Sequence, residues 1–195
     1  MLQTVKELQD TNRIKNTTEK NINDGIINKE NPNIVLIILE SHTGVYCNYL
    51  NNNLEDEVSP FLDSLSIKSI NFKNCYANGT RTAYGLGSIL CSWPVIPGYP
   101  IIRHPIYQNK KNNKATFASI MKQIDKRYNT VFMYGGNSSF DQMKPFVESN
   151  QFDDIIDHAS DPFLQSLKYD NETQGVNPWG VFDHHLFERY IQLMD

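Results

Sequence analysis

Two residues in this 195-residue chain have the type and setting for chemistry: a threonine beside an arginine, and a glutamate that closes an apolar run. The threonine lies in Asn78-Gly79-Thr80-Arg81-Thr82-Ala83-Tyr84-Gly85-Leu86-Gly87-Ser88-Ile89-Leu90-Cys91. Asn78 and Gly79 break a strand-like run over residues 70–77, and the small and apolar residues from Thr82 onward suit a helix. Thr82 is therefore predicted at or near a helix N-terminus, where free backbone N–H groups and the positive end of the helix dipole gather. Such an end can hold a phosphate or sulfate. A hydroxyl there becomes a nucleophile if something lowers its pKa, and Arg81 adds a fixed positive charge beside it. Taken alone, the stretch has a simpler reading, in which Thr80 or Thr82 merely caps the helix.

The glutamate is Glu40. Residues 33–39 read Asn-Ile-Val-Leu-Ile-Ile-Leu, an unbroken apolar, β-branched-rich run. Such a run predicts a central strand buried on both faces, as in a parallel sheet. Glu40-Ser41-His42 follows it, at the carboxyl end where α/β folds place their sites. Glu40 is either a solvent-facing residue that closes the strand or a hard oxygen ligand for a divalent cation. The strand alone does not choose between them.

The elements that would position these residues follow from the rest of the chain. Residues 1–30 are polar, with helical spacing at Leu2, Val5 and Leu8 and a break near residues 21–25, and read as a weak helix or linker. Ser59-Pro60 signals a helix start, with Phe61, Leu62 and Leu65 on its apolar face. Residues 69–77 are predicted as the next strand, and the Thr82 helix should stop near Ser92, before Trp93-Pro94. Residues 95–103 form a Pro/Gly-punctuated loop and residues 110–114 a basic, solvated one. Phe117, Ile120, Met121 and Ile124 share a helical face. Residues 130–133 and 152–156 read as strands, and residues 161–178 as a loop. Gly135-Gly136-Asn137-Ser138-Ser139 follows a strand and opens a helix, a plausible second wall of the same site. Its glycine spacing is not that of a dinucleotide fingerprint.

Composition narrows the function. The length suits one domain with a sizeable core. A net charge of −4 marks no nucleic-acid binder, so any basic site must be local. The three cysteines, at 47, 75 and 91, have neither metal-ligand spacing nor a paired count. No apolar run approaches the ~20 residues of a membrane span, and no signal-peptide pattern opens the sequence.

Several ordered motifs carry a resemblance. The run from Asn33 to Glu40-Ser41, Ser59-Pro60-Phe61-Leu62, Tyr76-Ala77-Asn78-Gly79-Thr80-Arg81-Thr82, Tyr134-Gly135-Gly136-Asn137-Ser138-Ser139-Phe140-Asp141 and Trp179-Gly180-Val181 together resemble the sulfatase-like part of lipoteichoic acid synthases and related phosphoglycerol transferases, in the alkaline phosphatase superfamily. The resemblance implies an α/β layered domain with a mostly parallel central sheet flanked by helices, residues 31–195 being its N-terminal part. It implies Glu40 as a metal ligand and Thr82 as both nucleophile and metal ligand, the cation being Mn or Mg first, with Ca or Zn as alternatives. It also implies an anionic phospholipid headgroup or glycolipid as substrate, and no nucleic acid. Work at the extracytoplasmic face of a membrane would be reached through segments missing from this chain.

Two departures from the pattern bear on these expectations. Lipoteichoic acid synthases put a Trp and an Arg near the position of residues 140–143 to hold glycerol phosphate, and this stretch offers no Arg. Their Asp-His metal pair sits after an apolar strand, whereas Asp183-His184-His185 precedes Leu186-Phe187-Glu188-Arg189-Tyr190-Ile191. That order reads as an exposed helix start with Asp183 as N-cap. The chain therefore holds the nucleophile half of such a site, and alone is expected to be inactive or nearly so. A formylglycine sulfatase would need Cys/Ser-x-Pro-x-Arg, which Cys91-Ser92-Trp93-Pro94 misses. A phosphoethanolamine transferase, a sulfuric or phosphoric ester hydrolase of the same superfamily and a truncated, non-catalytic fragment are the alternatives.

Overall fold

A computed structural model describes residues 32–51, 53–109, 115–168 and 175–194. The expectations for residues 1–30 and for the basic run 110–114 lie outside them. The chain divides into two units, Met1–Leu39 and Glu40–Asp195.

In the first unit, the described residues 32–39 are in neither strand nor helix. Ile34 to Leu39 are all exposed, Ile37 to 56%. This corrects the prediction of a central buried strand. Apolar, β-branched composition states a preference for a sheet interior, but a strand exists only where neighbours supply ladder hydrogen bonds. Among the described residues this run pairs with none.

The second unit is α/β, with a parallel strand pair and flanking helices. In chain order it contains α1 (Pro60–Ser66), α2 (Thr82–Cys91), α3 (Phe117–Ile124), β1 (Val131–Tyr134), α4 (Met143–Ser149), β2 (Asp154–Asp157), α5 (Pro162–Ser166), β3 (Val176–Asn177), β4 (Gly180–Val181) and α6 (Asp183–Met194). Strands β1 and β2 are parallel, with Val131 opposite Asp154 and Tyr134 opposite Asp157. Strands β3 and β4 form an antiparallel hairpin. The α4 segment thus crosses between parallel strands, the connection that such strands require.

Two apolar clusters lie against β1 and β2. The larger joins Ala83, Leu86, Leu90 and Cys91 of α2 to Ile102 and to Met143, Phe146 and Val147 of α4, with Phe132, Tyr134 and Ile155 from the strands. The α2 residues repeat at i, i+3, i+7 and i+8, one face of a helix. The smaller joins Leu164, Val176 and Val181, with Ile156 and Leu186 packed on them. Ile155 and Ile156 serve different clusters because successive strand side chains alternate faces.

Several boundaries differ from expectation. Residues 70–77 form no strand, with Phe72 78% and Tyr76 84% exposed, for the same lack of a ladder partner. Phe61, predicted on the buried face of α1, is 75% exposed. In α3 the buried residues are Ala118 and Ser119, while Ile120 and Ile124 are exposed. A capping box ties Thr116 to Ser119, and the buried Thr116 hydroxyl donates to the Asn150 carbonyl at 2.9 Å, so polar anchoring sets which face of α3 turns inward. Part of the stretch expected as a loop over residues 161–178 is helix α5 and strand β3. Asp161 caps α5 by accepting from the Leu164 amide at 3.1 Å, and Pro162 opens it, a start signal present in the sequence.

Candidate active site

Thr82 is the first residue of α2. Arg81 holds the N-cap position in an extended conformation, with no side-chain cap, and its carbonyl accepts from the Tyr84 and Gly85 amides at 3.0 Å each. The capping reading of Thr80 and Thr82 therefore gives way. The Thr82 hydroxyl points elsewhere: Oγ1 donates to Glu40 Oε2 at 3.0 Å across 42 residues of sequence.

The Glu40 carboxylate is held at both oxygens, since Ser41 Oγ donates to Oε1 at 3.1 Å. Ser41 sits at φ 54°, a left-handed conformation that costs a serine about 1–2 kcal/mol. The segment after it is anchored. Buried Cys47 lies with Sγ 3.3 Å from His42 Nε2, and Ser59, at the start of α1, donates to the Tyr46 carbonyl at 2.8 Å. Glu40 and Thr82, predicted to meet, are thus brought together, with Glu40 in a turn rather than at a strand end.

Tyr134, the last residue of β1, feels the charge of Glu40. Burial raises the Tyr134 phenol above its ordinary pKa, and the charge of Glu40 raises it further, so the phenol stays protonated and Glu40 lies near the carboxyl end of β1. Residues 135–139 are fixed from two sides. The Val181 amide donates to the Gly135 carbonyl at 2.8 Å and the His158 amide to the Gly136 carbonyl at 3.1 Å. Asp157, 1% exposed at the end of β2, accepts from the Ser138 amide at 2.8 Å, and from the hydroxyls of Ser138 and Ser160 at 2.5 Å each. Burial alone would raise the Asp157 pKa, but the hydrogen bonds from Ser138 and Ser160 outweigh it and hold the carboxyl below its ordinary value.

Sequence reading missed Asp157, whose partner Ser138 lies 19 residues away, although Ser160, three residues on, was a local signal. It also missed an ion pair. Arg103, from the loop after α2, donates to Asp141, so an arginine does stand at the stretch that lacks one locally. Asp141 and Gln142 both take left-handed φ, 55° and 61°, where the chain turns into α4.

Asp183 and His184 are exposed at the start of α6, as expected. The helix begins at Asp183, with the His185 amide donating to the Phe182 carbonyl at 3.0 Å, so residue 182 takes the position assigned to Asp183. The His185 ring lies 4.0 Å from that of His184. Among the described residues, no group of three or more His, Cys, Asp or Glu converges as a metal site would require. Glu40 and Thr82 together present hard oxygens of the kind Mg or Mn takes.

The Sulfatase family model matches residues 32–195. The chain is also similar to a protein in the alkaline phosphatase superfamily from Vibrio parahaemolyticus, known from its crystal structure. The TM-score is 0.57 at 28% identity, over 69% of this chain and 30% of that one. The chain thus spans less than a third of the length of that solved protein.

Proposed function

Since the chain belongs to the sulfatase family, whose chemistry is the hydrolysis or transfer of phosphate and sulfate esters, we propose that it carries the nucleophile and a metal ligand for transfer of a phosphoglycerol-type group from a lipid headgroup. Thr82 would form the covalent intermediate. One observation carries this reading: the Thr82 hydroxyl, at the N-terminus of a ten-residue helix, donates to the Glu40 carboxylate at 3.0 Å.

Glu40 and Thr82 would hold a divalent cation, Mn or Mg, whose charge makes a threonine hydroxyl reactive near neutral pH. The remaining steps belong to the protein. Glu40 fixes the Thr82 hydroxyl in one orientation. Attack of Oγ1 on phosphorus forms the phosphothreonine ester and releases the first alcohol with a proton. The amides and dipole of the first turn of α2 stabilise the equatorial oxygens. An acceptor alcohol then takes the group and returns the proton to Thr82, and water in its place makes the reaction a hydrolysis.

The formylglycine route has no support in this fold. Cys91 lies at the other end of α2 from Thr82, about 14 Å along the axis at 1.5 Å per residue. It is buried, and burial pushes its thiol up to about 11. A lipid donor implies work at a membrane surface, extracytoplasmic by resemblance. Among the described residues no helix is long and apolar enough to cross a membrane.

A cation held by these two side chains has one carboxylate and one weak hydroxyl, where hard cations take about six oxygens. The 195-residue chain should therefore turn over phosphatidylglycerol analogues and aryl phosphodiesters slowly or not at all. A longer polypeptide that carries this sequence with further ligands of the fold should be active. Assay of both, each with Thr82→Ala, tests the proposal. Loss of turnover in the longer Thr82→Ala protein, with an unchanged circular dichroism spectrum, is expected. Retained turnover there overturns the nucleophile assignment. Robust Thr82-dependent turnover by the short chain would instead return Asp183, His184 and His185 as ligands.

A further inference from the structure

The charges of this chain are unevenly placed. Its net charge is −4, yet no Asp or Glu occurs between Asp63 and Asp125, where eight Lys or Arg do. A block so free of acid is the electrostatic footprint of an anionic partner. Its first part is the connection from α1 to α2. Residues 67–78 of that connection are exposed without a break, but they lack the polar make-up of an ordinary solvated loop. Ile67, Ile70, Phe72 and Tyr76 all face solvent, Ile67 at 85%. Lys68, Lys73 and Arg81 are interleaved with them. None of the three is in an ion pair among the described residues. Singly exposed apolar residues are ordinary on a protein surface, whereas a group of them marks an interaction site.

Both ends of this connection are fixed. Asn71 Nδ2 donates to the Ser66 carbonyl at 2.6 Å, which ties the loop to the last residue of α1. At the other end Ala83 and Leu86 bury α2 in the larger apolar cluster. The loop is therefore carried on a scaffold, as binding loops are. Its last residue, Arg81, directly precedes Thr82.

We infer that the loop over residues 67–81 docks the chain on an anionic lipid surface. Apolar side chains alone suit a protein partner, and cations alone suit a soluble polyanion. The two interleaved fit the headgroup boundary of a bilayer, where apolar groups enter the acyl region and lysine stems follow them while their ammonium ends stay with the phosphates. A tyrosine suits that level too, with an apolar ring and a wet hydroxyl. This contact is made by the chain itself and needs no membrane-spanning segment. It goes beyond the transfer chemistry, since it stands on exposure and charge and neither Glu40 nor Thr82 enters it. Docking through this loop would bring headgroups to the residue that precedes the nucleophile.

Cys75 lies within the loop and is exposed, whereas Cys47 and Cys91 are buried, so a nitroxide on Cys75 reports the loop alone. The chain is sedimented with vesicles of phosphatidylcholine, and with vesicles of phosphatidylcholine mixed with phosphatidylglycerol. The expected result is binding to the mixed vesicles only, with the nitroxide gaining contact with oxygen and losing contact with a water-soluble relaxation agent. Lys68→Gln and Lys73→Gln should each weaken binding about fivefold, the worth of one cation at such a surface. Phe72→Ala should weaken it about tenfold. All three side chains are exposed, so the circular dichroism spectrum should not change. Raising salt from about 0.1 M to about 1 M shortens the screening length from about 10 Å to about 3 Å and should release the chain. Equal binding to both kinds of vesicle, binding unaffected by the lysine variants, a nitroxide that stays in water, or no binding at millimolar lipid overturns the inference. Self-association that shields the nitroxide without vesicles also overturns it, in favour of a second copy of the chain. Mn2+ binding at Glu40 and Thr82 is measured without vesicles, so either reading can fail alone.

Discussion

Replacing Asp157 should unfold a disproportionate share of this small domain. The carboxylate is 1% exposed and Ser138 is fully buried. Asp157→Ala leaves the Ser138 amide and hydroxyl without the acceptor they meet at 2.8 and 2.5 Å, and Ser160 without its partner. A buried donor left unpaired costs about 1–3 kcal/mol. Two fully buried donors and one half-buried one give a loss of roughly 3–5 kcal/mol, against a typical total of about 5–15 kcal/mol for a domain. Asp157→Asn keeps one acceptor oxygen, loses the charge, and should cost about half as much. The charge makes the effect pH-dependent. A carboxyl whose folded pKa lies below its ordinary 3.8 contributes stability that is fully present above that ordinary value. The contribution is lost as pH falls through the lower folded value. Urea unfolding followed by circular dichroism at pH 7, and in steps down to about pH 3, measures both. The gap between wild type and Asp157→Asn should shrink in the acid limb. An Asp157→Ala penalty under about 1 kcal/mol, or a gap that widens in acid, would refute the buried-latch argument.

The other expectations are more local. Gly180→Ala would place a Cβ 2.2 Å from the Gly135 carbonyl oxygen in a backbone conformation unfavourable to alanine, so it should cost more than about 2 kcal/mol in thermal or urea unfolding. Thr82→Ala removes one exposed hydrogen bond to Glu40 and should change stability by less than about 1 kcal/mol, so any loss of activity in that variant is chemical. Thiol titration near pH 8 should label the exposed Cys75 first. Cys91, its thiol pushed up to about 11 by burial, should react only on unfolding, and Cys75→Ser should remove the fast phase.

Much of the site was legible because its signals are local. Asn78-Gly79 before Thr82, apolar residues at helical spacing through α2, and Trp93-Pro94 after it each state a boundary on their own, and the helix runs Thr82–Cys91. The strand β1 and the Gly135-Gly136 turn were read in the same way. The meeting of Glu40 and Thr82 came from resemblance to a family, since no spacing rule joins residues 42 positions apart. What sequence did not reveal depends on partners. An apolar run such as residues 33–39 declares what it would bury, not whether a neighbouring strand is at hand. The Asp157 latch and the Arg103–Asp141 pair join segments that only the fold brings together. The α5 start is a different case, because Asp161-Pro162 is a start signal that low apolar content around it obscured.

The most direct test of the account is whether Glu40 and Thr82 share a cation. Electron paramagnetic resonance of free Mn2+, titrated with the 195-residue chain, measures this without requiring turnover. Two oxygen side chains should give weak, saturable binding, with Kd on the order of 10⁻³ M. Glu40→Gln should abolish that binding and Thr82→Ala should weaken it, while both variants keep the wild-type circular dichroism spectrum. Mn2+ binding that is unchanged in Glu40→Gln, or no binding by wild type in the millimolar range, would contradict the assignment of this pair as the metal-bearing heart of the site.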